Sequence, residues 1–148
     1  MKTKTLLITM LLFFIIAFYV ELNAQMTYEK VKIIANKDVP VNSLSQKELK
    51  NIFMGKKTKW QDKTSIKFTL LNRETDYKKF LELIDYSAAK YERYWKKQVF
   101  TGKAKMPKTV KTAEEMIQYI SENQGAIGYI LTDKIDNENI KIISIMED

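Results

Sequence analysis

The feature that most constrains this chain is a change of hydrophobic period across residues 66–84. Residues 66–71 (IKFTLL) form a run rich in β-formers that halts at the polar cluster Asn72, Arg73, Glu74 and Thr75. Beyond it, Tyr77, Phe80, Leu81 and Ile84 recur at i, i+3, i+4 and i+7, one face of an amphipathic helix. A strand that stops at an arginine and turns into a helix gathers three attractions for an anion. The guanidinium fork, the unpaired first N–H groups of the helix and the positive end of its dipole all point at one place. The same residues allow a local alternative, in which Arg73 pairs with Glu74 or Asp76.

The strand–helix alternation recurs along the chain. Residues 31–36 (VKIIAN) predict a first strand, and 37–42 a turn-rich linker in which Pro40 biases Val39 to an extended shape. Ser45 with Glu48 forms a capping box, Leu49, Ile52 and Phe53 the buried stripe of a short helix, and Gly55 its C′ stop. Lys56, Lys57, Lys59 and Lys63 then crowd a loop around Trp60, either a binding surface or a solvated loop over a buried indole. Residues 87–100 predict a helix whose aromatic face (Ala88, Tyr91, Trp95 and Val99, with Tyr94 beside them) belongs to the core, ended by Thr101 and Gly102. Residues 96–111 contain six lysines and no acid, a charge run that reads as a solvated loop. Thr112 and Glu115 form a second capping box for a helix with Ala113, Met116, Ile117 and Ile120 inward, ended at 123–125. Residues 126–131 (AIGYIL) are a strand in which Gly128 implies close approach by another backbone or a ligand. A polar turn at 133–138 leads to a last strand at 140–145. This alternation predicts an α/β fold, with one mixed sheet flanked by helices.

Residues 1–24 read as a signal peptide. Lys2 and Lys4 form a positive start, 6–20 is apolar apart from Thr9, and Asn23-Ala24-Gln25 offers a small residue for cleavage near Ala24. The apolar run falls short of the roughly 20 residues of a comfortable membrane span, although an uncleaved anchor is the rival reading. With no cysteine, lipid attachment at a signal-peptide cysteine is excluded. The expectation is a periplasmic or secreted protein whose residues 25–148 form one domain. Loss of Lys2, Lys4 and Glu21 lowers the formal charge from +7 to +6. Export argues against nucleic acid as the partner of so basic a chain, and favours a small anion, a polyanionic surface or an acidic protein.

Much chemistry is excluded by composition. Without histidine or cysteine, the usual zinc sites, thiol nucleophiles and Ser-His-Asp arrangements cannot be built. Gly55, Gly102, Gly125 and Gly128 are scattered singly, so there is no glycine-rich phosphate loop. Glu74, Asp76, Glu82 and Asp85 show no spacing that marks an acid–base pair. The reading contains no catalytic residue, metal ligand or cofactor. It is a binding protein and not an enzyme.

Four separated blocks carry a family likeness: LSQKELKNIFMGKKTKW (44–60), the strand with its arginine (66–73), YWKKQVFTG (94–102) and GAIGYI (125–130). In this order they resemble the phosphate-binding substrate-binding proteins of ABC transporters, which are type II periplasmic binding proteins. The resemblance implies one lobe of that fold, a phosphate or similar small anion as ligand, and a membrane permease as partner. Arg73 matches the family's arginine, and Asn72 and Thr75 are the neighbouring candidates for ligand binding. There are two departures. Full-length members close two lobes over the ligand, whereas residues 25–148 leave room for one. The family's arginine is also followed by a Ser-Gly-Thr signature, where this chain has Glu74-Thr75-Asp76-Tyr77. The resemblance therefore leaves an alternative open: a periplasmic interaction module on the same lobe, docking on an envelope protein with anion binding lost. A homo-oligomer is a further expectation, because a second copy would restore the missing wall.

Overall fold

The computed structural model describes residues 30–132 and 135–146. In chain order the elements are β1 (Lys32–Asn36), β2 (Ser43–Ser45), α1 (Gln46–Phe53), β3 (Lys67–Leu71), α2 (Glu74–Leu83), α3 (Ala88–Phe100), β4 (Lys108–Val110), α4 (Ala113–Glu122), β5 (Ala126–Ile130) and β6 (Ile140–Met146). The signal-peptide reading of 1–24 lies outside the described residues. Among these, no helix is long and apolar enough to cross a membrane.

The six strands form one mixed sheet in the order β2-β6-β1-β5-β3-β4. β1 runs antiparallel to both neighbours, β5 and β6, while β2 pairs parallel with β6, and β3 parallel with both β4 and β5. Five strands therefore share a direction and bring their carboxyl ends to one edge. β2 and β4, of three residues each, are the two outer strands. Neither is expected as a strand from the sequence: Ser43–Ser45 falls between the 37–42 linker and the Ser45 cap, and Lys108–Val110 falls in the lysine run of 96–111. Three polar-flanked residues carry no period of their own, and only pairing with β6 and β3 makes them strands.

Successive residues of β5 face opposite sides of the sheet. Gly128 lies under α4, where a Cβ would come within 2.4 Å of the Met116 sulfur. The close approach expected at Gly128 is thus made by a helix side chain, and not by backbone or ligand. Tyr129 faces the other side, stacked on Phe80 with ring centroids 4.0 Å apart. Phe53 joins Phe80 at 4.5 Å and Phe68 at 5.3 Å, and Phe68 joins Trp95 at 5.6 Å. α1, α2 and α3 thereby share one aromatic layer, each ring burying on the order of 150–250 Å². The buried apolar cluster is continuous and is drawn from Ile33 to Ile143, so the described residues carry a core of their own.

Local signals are met with some corrections. Ser45 and Glu48 exchange both bonds of the capping box, and Gly55 takes its left-handed C′ place at φ +68°. At α4 the box is half made. The Thr112 hydroxyl accepts the Glu115 N–H, but the Glu115 carboxylate turns to the Lys111 N–H at 2.8 Å. On α3, Tyr91 and Trp95 are buried and Tyr94 half-buried, whereas Ala88 and Val99 are exposed, so only the middle of the aromatic face reaches the core. Trp60 is buried and its indole N–H donates to the Gly125 carbonyl at 3.0 Å; around it Lys56, Lys59 and Lys63 are exposed, and Lys57 pairs with Glu48.

Candidate functional site

Among the described residues, three of the four helices begin conventionally. Ser45, Ser87 and Thr112 each turn a hydroxyl onto an N–H of the first turn of α1, α3 and α4. α2 differs. Its N-cap is Arg73, extended at φ −108° and ψ 122°, and no side chain caps the helix. The N–H groups at its start are uncapped at the edge where β3 ends.

This start is held from both sides. The Asn72 N–H donates to the Val110 carbonyl at 2.8 Å and ties the exit of β3 to β4. On the other flank the β3–β5 pairing runs only through Lys67 and Phe68, opposite Ala126 and Ile127. Beyond it the Tyr129 hydroxyl fills the gap, donating to the Leu71 carbonyl at 3.0 Å and accepting the Leu71 N–H at 3.1 Å. Burial holds the Tyr129 phenol well above its ordinary pKa, which keeps it neutral and able to do both.

Arg73 is half exposed, and its guanidinium forks onto one carboxylate: Nε and Nη2 donate to the two oxygens of Asp76, the latter at 2.7 Å. Asp76 is buried, with 1% of its side chain exposed. The same carboxylate accepts the Leu131 N–H at 3.2 Å, so it joins the first turn of α2 to the carboxyl end of β5. Glu114, in the first turn of α4, shares this edge. Hydrogen bonds from its own N–H and from the Thr112 hydroxyl hold its pKa below the usual value, and the Arg73 charge adds a smaller lowering.

The sequence-predicted residues Asn72, Arg73 and Thr75 thus fall together, exposed, on one turn at the carboxyl edge. In open α/β sheets that edge is where ligands are held. Asn72 meets β4 through its backbone, and Thr75 stands in the first turn of α2. Arg73 adopts the local pairing that the sequence had offered as the alternative, with Asp76 and not Glu74. An incoming anion meets a guanidinium and an uncapped helix start, but it must share them with Asp76 and approach past Glu74 and Glu114. The reading of single residues did not find the bridging role of Asp76 or the approach of α4. A signal existed for the latter: Thr109 and Val110, β-formers just before the capping Thr112, repeat the strand-then-cap pattern of β2 and α1.

Comparison with known proteins places this fold. A family model described as a PBP superfamily domain matches residues 22–144. A Clostridium perfringens structure, described as a phosphate ABC transporter substrate-binding protein with bound phosphate, superposes with a TM-score of 0.59 at 18% identity, covering 78% of this chain and 44% of that one. An ABC-type phosphate transport receptor from Vibrio cholerae gives 0.53 at 20% identity, covering 78% and 46%. A possible phosphate binding protein from Planctomyces limnophilus gives 0.59 at 14% identity, covering 80% and 42%. The present chain spans less than half the length of each, and at these identities the likeness is one of fold. No curated protein matches the chain.

Proposed function

The chain belongs to the PBP superfamily domain family as a single-lobe α/β member, and from that premise we propose that it is a non-enzymatic, exported substrate-binding-like protein that holds phosphate or a similar small oxyanion weakly. The observation that carries this reading is Arg73 at the uncapped start of α2, on the carboxyl edge of the sheet. Asn72 and Thr75 complete the proposed site. The phosphate-related descriptions of the fold neighbours support the choice of anion, and uptake through an ABC-type permease is the corresponding role. Weakness follows because the Asp76 carboxylate already engages the guanidinium.

That same pairing favours a second reading, a periplasmic interaction module in which the lobe is a scaffold for an envelope protein and anion binding is gone. Calorimetric titration of residues 25–148 with phosphate at low salt separates the two, run beside Arg73→Ala and Arg73→Lys. Saturable heat that disappears in Arg73→Ala and weakens in Arg73→Lys supports the anion site. Flat heats for all three folded proteins at millimolar phosphate overturn it and leave the interaction module.

A further inference from the structure

The lysine-rich segment 96–111 has a feature that solvation alone does not explain. Its six lysines are all exposed and no acid interrupts them, yet Phe100 stands among them 93% exposed, with Met106 at 63% and Val99 at 38%. Phe100 is the last residue of α3, and Lys96 and Lys97 precede it by four and three positions, so they flank it on the helix surface. The tip is fixed in place. Gly102, at φ +68°, donates to the Val99 carbonyl at 3.0 Å and Lys103 to the Gln98 carbonyl at 2.9 Å, the two bonds of a Schellman stop. The Ala104 N–H also returns to the Gln98 carbonyl at 3.3 Å, so the backbone that carries Lys103 and Lys105 turns back on the last turn of α3. Lys108 bends instead over the Tyr119 ring, 4.7 Å from its centroid.

We propose that this tip is a docking surface for a membrane bearing anionic headgroups, in which Phe100 and Met106 enter the headgroup–acyl boundary and Lys96, Lys97, Lys103 and Lys105 meet the phosphates. A bilayer supplies negative charge and an apolar layer within one side chain's length of each other, the two partners that this arrangement needs. An acidic protein would satisfy the lysines, but it would have to bring its own pocket for a ring projecting this far.

The test is co-sedimentation of residues 25–148, which include the whole buried cluster from Ile33 to Ile143, with vesicles of phosphatidylcholine alone or mixed equally with phosphatidylglycerol. Phe100→Ser and the double variant Lys103→Glu/Lys105→Glu accompany it, and both alter only exposed positions. The expected result is partition onto the mixed vesicles alone, released by salt. Partition should fall about tenfold in Phe100→Ser and at least about tenfold in the double variant. The proposal is overturned by equal partition onto both vesicle types, by no partition onto either, or by partition that Phe100→Ser leaves unchanged. Soluble polyglutamate that binds as tightly as the mixed vesicles, with no loss in Phe100→Ser, overturns it in favour of an acidic protein partner.

Discussion

The starts of α1 and α2 are two answers to one physical problem, the unpaired N–H groups and positive dipole that every helix N-terminus presents. At α1 the chain answers from within: Ser45 and Glu48 close a reciprocal box, and Lys57 donates to Glu48 at 2.8 Å. At α2 the N-cap is an arginine with no capping bond, and of the two acidic side chains of the first turn Glu74 is exposed while Asp76 is buried and turned to Arg73 and Leu131. The first arrangement is local and stabilises one helix. The second spans elements remote in sequence and leaves a positively polarised helix end at an edge where ligands bind in folds of this kind. The difference teaches where to look for function, at the helix start that is not capped by its own sequence.

The comparison predicts that changes at α2 cost more than changes at α1. Asp76→Ala orphans the Leu131 N–H and the inner side of the Arg73 fork, and should lower stability by about 2–4 kcal/mol, read from the urea midpoint. A loss no larger than that of Ser45→Ala would break the comparison. Tyr129→Phe leaves both backbone groups of Leu71 unpaired at the same edge, for about 1–3 kcal/mol. The phenol also adds a pH dependence. Because the folded state raises its pKa, its contribution is complete below the ordinary tyrosine value near 10 and is lost as the pH rises beyond it. Wild-type protein should therefore lose stability above that pH, and Tyr129→Phe more shallowly, in thermal melts followed across the alkaline range.

At α1 the effects are smaller. Ser45→Ala removes one cap and should cost about 1 kcal/mol. Glu48 has its pKa lowered by the hydrogen bond from Lys57 and then by that from the Ser45 N–H. Its contribution is present above the ordinary carboxylate value of 4.5 and lost as the pH falls through the lower folded one. Since its side chain is 44% exposed, Glu48→Gln should cost only about 0.5 kcal/mol and flatten the acid limb of the melting profile. Within β3, Thr69 has a buried hydroxyl with no hydrogen-bond partner. Thr69→Val should therefore be neutral or slightly stabilising, which would confirm that the bonded groups near it, and not polarity as such, hold this edge.

Periodic segments were legible from the residues alone. The four helices, the strands β1, β3, β5 and β6, the Ser45 cap and the Gly55 stop each rest on short-range patterns that favour one local shape. The candidate residues Asn72, Arg73 and Thr75 were legible for the same reason, as neighbours on one turn. Two parts were not. β2 and β4 are too short to carry a period, and they exist because β6 and β3 offer them a partner. The direction of the Arg73 fork could not be chosen by sequence spacing, because Glu74 at i+1 and Asp76 at i+3 both lie within reach of the side chain. Tertiary structure decided it: Asp76 faces inward at the place where β5 ends, there the Leu131 N–H needs an acceptor, and a carboxylate buried in that position holds the arginine beside it.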